Sequence, residues 1–140
     1  MDKGKFGTLV AYIPKIEATN YFGKWVHDKR GEGTPLSPKQ FSYFKYSRLV
    51  NSLVDDFYDF AKLHPEFALN DYKYILEWHE INWNYDDMRL ADVDDMDAGG
   101  ILALIMAAIR ADRFMEGALQ KFFKDGSILR WLKRLKELEN

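Results

Sequence analysis

The chain has 140 residues, a length typical of one domain that buries roughly 68% of its unfolded surface on folding. Hydrophobic residues make up 47% of the chain and charged residues 30%, which excludes an intrinsically disordered protein. The absence of cysteine excludes disulfides, thiolate nucleophiles and Cys-ligated metal centres, and a net charge of −2 argues against attraction of the whole molecule to nucleic acid or to an anionic membrane.

Neither a signal peptide nor a membrane span is indicated. The N-terminal residues are basic but lack the apolar segment that a signal peptide needs. The longest apolar run, residues 101–109, is far shorter than the roughly 20 residues of a membrane-spanning helix. We therefore expect a cytoplasmic protein that does not contact a membrane.

The N-terminal third of the chain predicts a short helix followed by an aromatic hairpin. Apolar residues recur at helical spacing from Phe6 to Ile13, and Pro14 disfavours helical geometry at the residue before it. Two aromatic segments, 21–26 and 41–46, are separated by a stretch rich in glycine and proline. They predict a small β-hairpin or flap near residues 21–46, which must pack on helices because an isolated hairpin is only marginally stable.

Apolar periodicity predicts five further helices, at about 47–61, 71–81, 95–111, 114–124 and 127–138. Ser47 and Asn70 are suitable N-caps for the first two, and Asp94 or Asp95 for the buried third. No internal repeat or linker divides the chain. The prediction is one domain, residues 1–140, of mainly α class: a bundle of five to six helices with a small hairpin.

The segment 82–97 is predicted to be a polar loop and carries six aspartates within twelve residues. Hard cations prefer such oxygen ligands, so Asp86, Asp87 and Asp92 are candidate metal ligands. The spacing does not fit an EF-hand, because Asp97 stands where that loop needs glycine. The alternative is a solvated loop whose last acids cap the buried helix.

His79 is the histidine best placed for chemistry, since glutamates and tryptophans flank it at positions 77, 78, 80 and 83. The second histidine of a His-Glu-x-x-His zinc motif is missing, because Trp83 occupies its position. The alternative role is packing within an aromatic cluster. The sequence contains neither a nucleophile elbow nor a Gly-rich phosphate loop, and it indicates no cofactor.

The most specific pattern follows the apolar run and reads Ile109-Arg110-x-Asp112-Arg113-Phe114-x-Glu116-Gly117. One interpretation is a corner between two helices, in which Asp112 is a cap, Phe114 enters the core and Arg113 pairs with Glu116 three residues later. The other is an anion-binding site formed by Arg110, Arg113 and Glu116, with His79 as a further candidate. Arg110 is the residue of this pattern whose role the corner interpretation explains least.

The same pattern resembles a bacterial family that is catalogued only as a domain of unknown function. Segments 125–129 and 132–135 are also similar to that family, as are 9–14 and 41–47, so the resemblance covers most of the chain. It implies a small, cytoplasmic, prokaryotic protein without an established activity. It supplies no catalytic residues.

Three functional hypotheses follow from these patterns. The first is a non-catalytic interaction module that self-associates as a homodimer, because no catalytic motif is complete while aromatic residues are abundant and charges are segregated. The alternative is a binder or hydrolase of a small phosphorylated or anionic ligand that uses Arg110 and Arg113 with the acidic loop. The third, disfavoured by the net charge, is weak nucleic-acid binding through the last helix, which carries Arg130, Lys133 and Arg134.

Overall fold

Eight α-helices and one two-stranded antiparallel hairpin form the part of the chain that the structure, a computed structural model, describes: residues 4–27 and 42–139. In chain order they are α1 (Gly7–Val10), α2 (Ile13–Glu17), β1 (Gly23–Val26), β2 (Tyr43–Tyr46), α3 (Arg48–Leu63), α4 (Tyr72–Trp78), α5 (Tyr85–Arg89), α6 (Ala98–Ala111), α7 (Ala118–Lys124) and α8 (Ser127–Leu138). The mainly helical fold with a small aromatic hairpin is confirmed. Five of these helices have seven or more residues.

Helix α6 lies at the centre of the fold. Its residues from Gly100 to Ile109 are all buried, and it packs against α4, α7 and α8. The Asp97 side chain caps the helix by accepting the N–H of Gly100 at 2.8 Å. An all-round apolar helix of this kind must be enclosed by other elements, and the amphipathic helices α3 and α8 direct their apolar stripes inward to the same core.

Several helix boundaries differ from the sequence predictions: α4 ends at Trp78, α7 begins at Ala118, and the N-cap of α6 is Asp97 and not Asp94 or Asp95. Two other segments differ in their elements. The predicted N-terminal helix is two short helices, because Pro14 lies in the first turn of α2, where its missing N–H is tolerated. The predicted loop 82–97 contains α5 and a 3-10 turn at Val93–Asp95. Buried Met88 and Val93 attach this segment to the core, so it is more ordered than its charge suggested.

The hairpin pairs β1 with β2 in the register Gly23 to Tyr46 and Val26 to Tyr43. The predicted Gly/Pro-rich connection between the strands, residues 28–41, lies outside the described residues. Phe22 anchors the hairpin to α7, with its ring centroid 5.1 Å from that of Phe123. Among the described helices, none has the length and apolar character needed to cross a membrane.

Candidate functional site

Asp112 is the structural anchor of the motif that follows α6. Its Oδ1 accepts the Tyr46 hydroxyl at 2.5 Å and the backbone N–H groups of Gly117 and Leu119 at 3.0 and 3.2 Å. One carboxylate thus joins β2 to the first residues of α7. Burial, together with the bond to Asp112, raises the pKa of the Tyr46 hydroxyl, so this group stays a donor.

Glu116 and Gly117 complete this connection on the hairpin side, and we call Asp112, Glu116 and Gly117 together the brace. Glu116 Oε1 accepts the backbone N–H of Phe44 at 3.2 Å, so its carboxylate serves the hairpin. Gly117 has a φ of +89°, and a Cβ placed on it would lie 3.1 Å from Cζ2 of Trp25. The position therefore needs glycine for its left-handed backbone and for the close approach of the indole.

Arg113 does not form the expected pair with Glu116. The residues 112–117 form turns between α6 and α7, so the helical spacing on which the pair depended does not apply. Arg113 is exposed, and the ion pairs found among the described residues do not include it.

Arg110 lies on a different side of the corner and borders a cavity of about 410 Å³. Its guanidinium carbon is 5.7 Å from the ring centroid of Tyr58, a cation–π arrangement that holds the side chain in place. Its Nε is buried and has no hydrogen-bond partner among the described residues. An unsatisfied buried donor costs roughly 1–3 kcal/mol, and more when it is charged.

The cavity is formed by the last turns of α3 and by the connection from α3 to α4. Its walls come from α3 (Tyr58, Ala61, Lys62), from the connection (Pro65, Ala68, Leu69, Asn70) and from α6 (Met106, Arg110). None of these residues is acidic. The nearby Tyr72 hydroxyl has its pKa raised by burial, while the charges of Arg110 and Arg113 oppose that rise.

Phe114 was predicted to enter the core, and this is wrong. Its side chain is 76% exposed, and that of the next residue, Met115, is 62% exposed. Both border a second concavity, an apolar groove of about 290 Å³ between α5 and α7. We call this concavity the α5–α7 groove; its lining residues are Trp83, Asn84, Tyr85, Met88, Ala111, Phe114, Met115, Ala118, Lys121 and Phe122.

The aromatic residues of the α5–α7 groove have their polar atoms satisfied within the protein. Trp83 donates its indole N–H to the carbonyl of Ala107 at 3.1 Å, and Tyr85 donates its hydroxyl to Asp125 at 2.6 Å. The Phe114 ring stands edge-on to the Trp83 ring, with 5.4 Å between centroids. What the groove presents outward is therefore apolar ring surface.

His79 is remote from Arg110. It follows α4, and its Nε2 lies 3.7 Å from Asp97 Oδ1 at the start of α6. It also lies close to Gly100, where an added Cβ would be 2.8 Å from Nε2. Positions 100 and 110 of α6 are about 15 Å apart along the helix axis, so the structure does not bring His79 and Arg110 into one site.

The candidate metal ligands make local contacts. Asp86 pairs with Arg89 at 3.0 Å, while Asp92 Oδ1 accepts the N–H of Asp94 at 3.2 Å. Asp87 lies in the first turn of α5. Within residues 4–27 and 42–139, no group of three or more histidine or carboxylate side chains is arranged to hold a metal ion. Metal binding at Asp86, Asp87 and Asp92 stays a prediction.

The basic face of α8 is largely engaged with its own chain. Arg130 donates to the carbonyls of Arg89 and Ala91, and Arg134 donates to the carbonyl of Met96. Lys133 pairs with Glu17 at 3.3 Å. Arg130 and Arg134 thus hold the end of α5 and the segment after it, and Lys133 contacts α2, so these three cations are engaged within the described part of the chain.

Sequence patterns did not identify most residues around the two concavities. Tyr58, Lys62 and Asn70 belong to segments distant from Arg110 in the chain, and only the tertiary fold brings them around one cavity. The α5–α7 groove likewise depends on a helix, α5, within a predicted loop. The available signal was Asn84, a residue suited to N-capping that precedes Tyr85 and Met88.

One comparison with known proteins gives a match. A family model described as "Family of unknown function (DUF6508)" matches residues 1–140. Comparisons with curated proteins and with solved structures give no match.

Proposed function

Because the chain belongs to the DUF6508 family, which has no assigned function, we propose a role from its own surface: a non-catalytic interaction module that forms a homodimer through the α5–α7 groove. The proposal treats residues 1–140 as one domain. Its location in the cytoplasm rests on the cysteine-free composition.

The observation that carries the proposal is the exposure of Phe114 and Met115 beside an apolar groove. Single exposed apolar residues are common, but a contiguous apolar patch marks an interaction site. Aromatic residues and methionine are also enriched at protein interfaces. The groove contains few polar groups, so a partner that covers it leaves few donors or acceptors unpaired.

A second copy of this chain suits the patch because the projecting side chain of Phe114 lies beside the α5–α7 groove. In a two-fold dimer the same surface serves both copies, so each Phe114 can enter the partner's groove while its own groove receives the partner's ring. A patch with only a projection or only a concavity lacks this self-complementarity.

The charges beside the groove favour the same arrangement. Asp87 lies on α5 along one bank, where Asp86 and Arg89 neutralise each other as an ion pair, and Lys121 lies on α7 and lines the other bank. A two-fold axis parallel to the groove sets the acidic bank of each copy against the basic bank of its partner. Opposite charges across an interface fix its register and speed association.

A charge-exchange experiment tests the proposal directly. Asp87→Lys makes one bank basic, and Lys121→Glu makes the other bank more acidic, so each variant alone should dimerise more weakly than the wild type. Mixed in equal amounts, the two variants should associate, because every bank then faces its opposite charge. Sedimentation equilibrium of the separate and mixed proteins measures this. A wild-type protein that stays monomeric at high micromolar concentration, or a mixture no more associated than its components, would rule out the proposed dimer.

A further inference from the structure

We propose that the cavity beside Arg110 binds a small organic oxyanion, a carboxylate or a phosphate monoester with an apolar body, independently of the α5–α7 groove. The site consists of Arg110 and Met106 from α6, Tyr58 and Lys62 from α3, and Leu69 and Asn70 from the connection to α4.

Arg110 provides the first argument, because the fold around it leaves a guanidinium N–H without an acceptor among the described residues. In the described part of the chain the Nε–H is buried and has no hydrogen-bond partner, although Asp112 and Glu116 are only two and six residues away. Those carboxylates are bound to β2 and to the start of α7. A carboxylate or phosphate in the cavity would accept from the guanidinium of Arg110, which lines it and whose planar set of donors suits bidentate recognition of an oxyanion.

The charge of the cavity provides the second argument. Lys62 supplies another cation and Asn70 an amide donor, while none of the described lining residues is acidic. The Tyr58 ring holds the guanidinium from one side, which reduces the freedom that Arg110 would lose on binding. An anion therefore meets a preorganised positive site.

The shape and walls of the cavity define the rest of the ligand. A volume of about 410 Å³ lies within the range of roughly 300–1,000 Å³ that small-molecule sites have. Met106 and Leu69 are buried apolar side chains in its wall, so they favour a ligand with a hydrocarbon part behind its anionic group. His79 is too far from Arg110 to transfer a proton there, so the site is assigned binding and not turnover.

The test is calorimetric titration of the full-length protein with phenyl phosphate, benzoate and benzyl alcohol, which share a ring and differ in charge. We expect at least one anion to bind, and the neutral alcohol to bind at least about tenfold more weakly, since bonds to a charged group dominate the affinity. Inorganic phosphate, which lacks the ring, should bind more weakly than phenyl phosphate. Comparison of the two aromatic anions distinguishes a phosphate site from a carboxylate site.

Matched arginine variants locate the binding. Arg110→Gln should weaken anion binding at least about tenfold, whereas Arg113→Gln should change it less than about twofold, because Arg113 is exposed and does not line the cavity. Lys62→Gln, at an exposed position, serves as a second cavity variant if Arg110→Gln does not fold, and it should also weaken binding.

Four results would overturn the proposal. Absence of binding by either aromatic anion at millimolar concentration removes the site. Equal affinity for benzyl alcohol means that the cavity recognises only the ring. Equal losses in Arg110→Gln and Arg113→Gln mean that the anions respond to general surface charge, and no loss in Lys62→Gln means that they bind outside the cavity. None of these results bears on dimerisation through the α5–α7 groove, which Phe114 variants test separately.

Discussion

Replacing Phe114 with alanine should weaken the proposed dimer while leaving the folded monomer almost unchanged. The ring is 76% exposed, so most of its apolar surface is available for burial by a partner. Complete burial of a phenylalanine side chain contributes about 1.5–3 kcal/mol, and the exposed part about 1–2 kcal/mol. A two-fold dimer contains the residue twice, which gives about 2–4 kcal/mol, or roughly a 30- to 700-fold increase in the dissociation constant.

The same substitution should have little effect on the free energy of unfolding of the monomer. The contact that Phe114 loses within its own chain is the edge-on arrangement with Trp83, and such an aromatic pair contributes about 0.5–1.5 kcal/mol. Denaturant unfolding at a concentration well below the dimer dissociation constant measures this term, and analytical ultracentrifugation measures the dissociation constant. The two measurements separate an effect on the interface from an effect on the fold.

Leu63→Ala is the matched control for Phe114→Ala. Leu63 is also 76% exposed, but it lies at the end of α3, outside the α5–α7 groove. If exposed apolar area alone promoted association, both variants would weaken it. The reasoning is refuted if Phe114→Ala leaves the dissociation constant unchanged, or if Leu63→Ala raises it by as much.

Three further predictions concern the brace and the tyrosines. Asp112→Ala should lower the free energy of unfolding by about 3 kcal/mol, because it removes a part-buried carboxylate that accepts from three donors. Glu116→Ala removes one hydrogen bond and should lower it by about 1 kcal/mol. Urea unfolding measures both values. Gly117→Ala should lower the free energy of unfolding by about 2 kcal/mol in the same assay, because its backbone is left-handed and the added Cβ contacts Trp25. Gly126 is also left-handed, but an added Cβ there has no atom within 4 Å, so an equal loss in Gly126→Ala would refute the contribution of Trp25. Burial and a carboxylate partner raise the pKa of Tyr12 and of Tyr85 from 10.0 to about 12, so their contribution to the free energy of unfolding should be fully present below pH 10 and decrease as the pH rises to 12. Tyr85→Phe should make that decrease smaller. A free energy of unfolding of the wild type that does not change between pH 10 and 12 would contradict this prediction.

Local signals were sufficient to predict the helical framework. Ser47 accepts the N–H of Val50, as expected of a cap, and α3 begins at the next residue. The end of α6 at Ala111 also agrees with the prediction, as does the left-handed Gly126 before α8. In these places a side chain or a backbone preference acts on residues within one turn, so the sequence pattern contains the relevant information.

The two concavities could not be predicted in this way, because their residues come from segments distant in the sequence. The Arg110 cavity depends on α3, the connection to α4 and the end of α6 meeting around one space, and no spacing rule encodes that arrangement. The expected pairing of Arg113 with Glu116 failed for a related reason. It assumed that residues 113–116 are helical, whereas Asp112 binds the N–H groups of Gly117 and Leu119 and thereby closes the intervening residues into turns.

The brace explains why this corner reverses the usual placement of polar and apolar side chains. Asp112 directs its carboxylate toward Tyr46 and the start of α7, and the turns that result carry Phe114 and Met115 outward. Because Asp112 and Glu116 are committed to the hairpin and to α7, Arg110 has no carboxylate partner among residues 4–27 and 42–139. Places where a protein departs from local rules at a cost in stability are commonly functional sites. The two departures at this corner, an exposed aromatic ring and an unpaired buried guanidinium nitrogen, thus have one structural cause, and they open on two different surfaces of the protein.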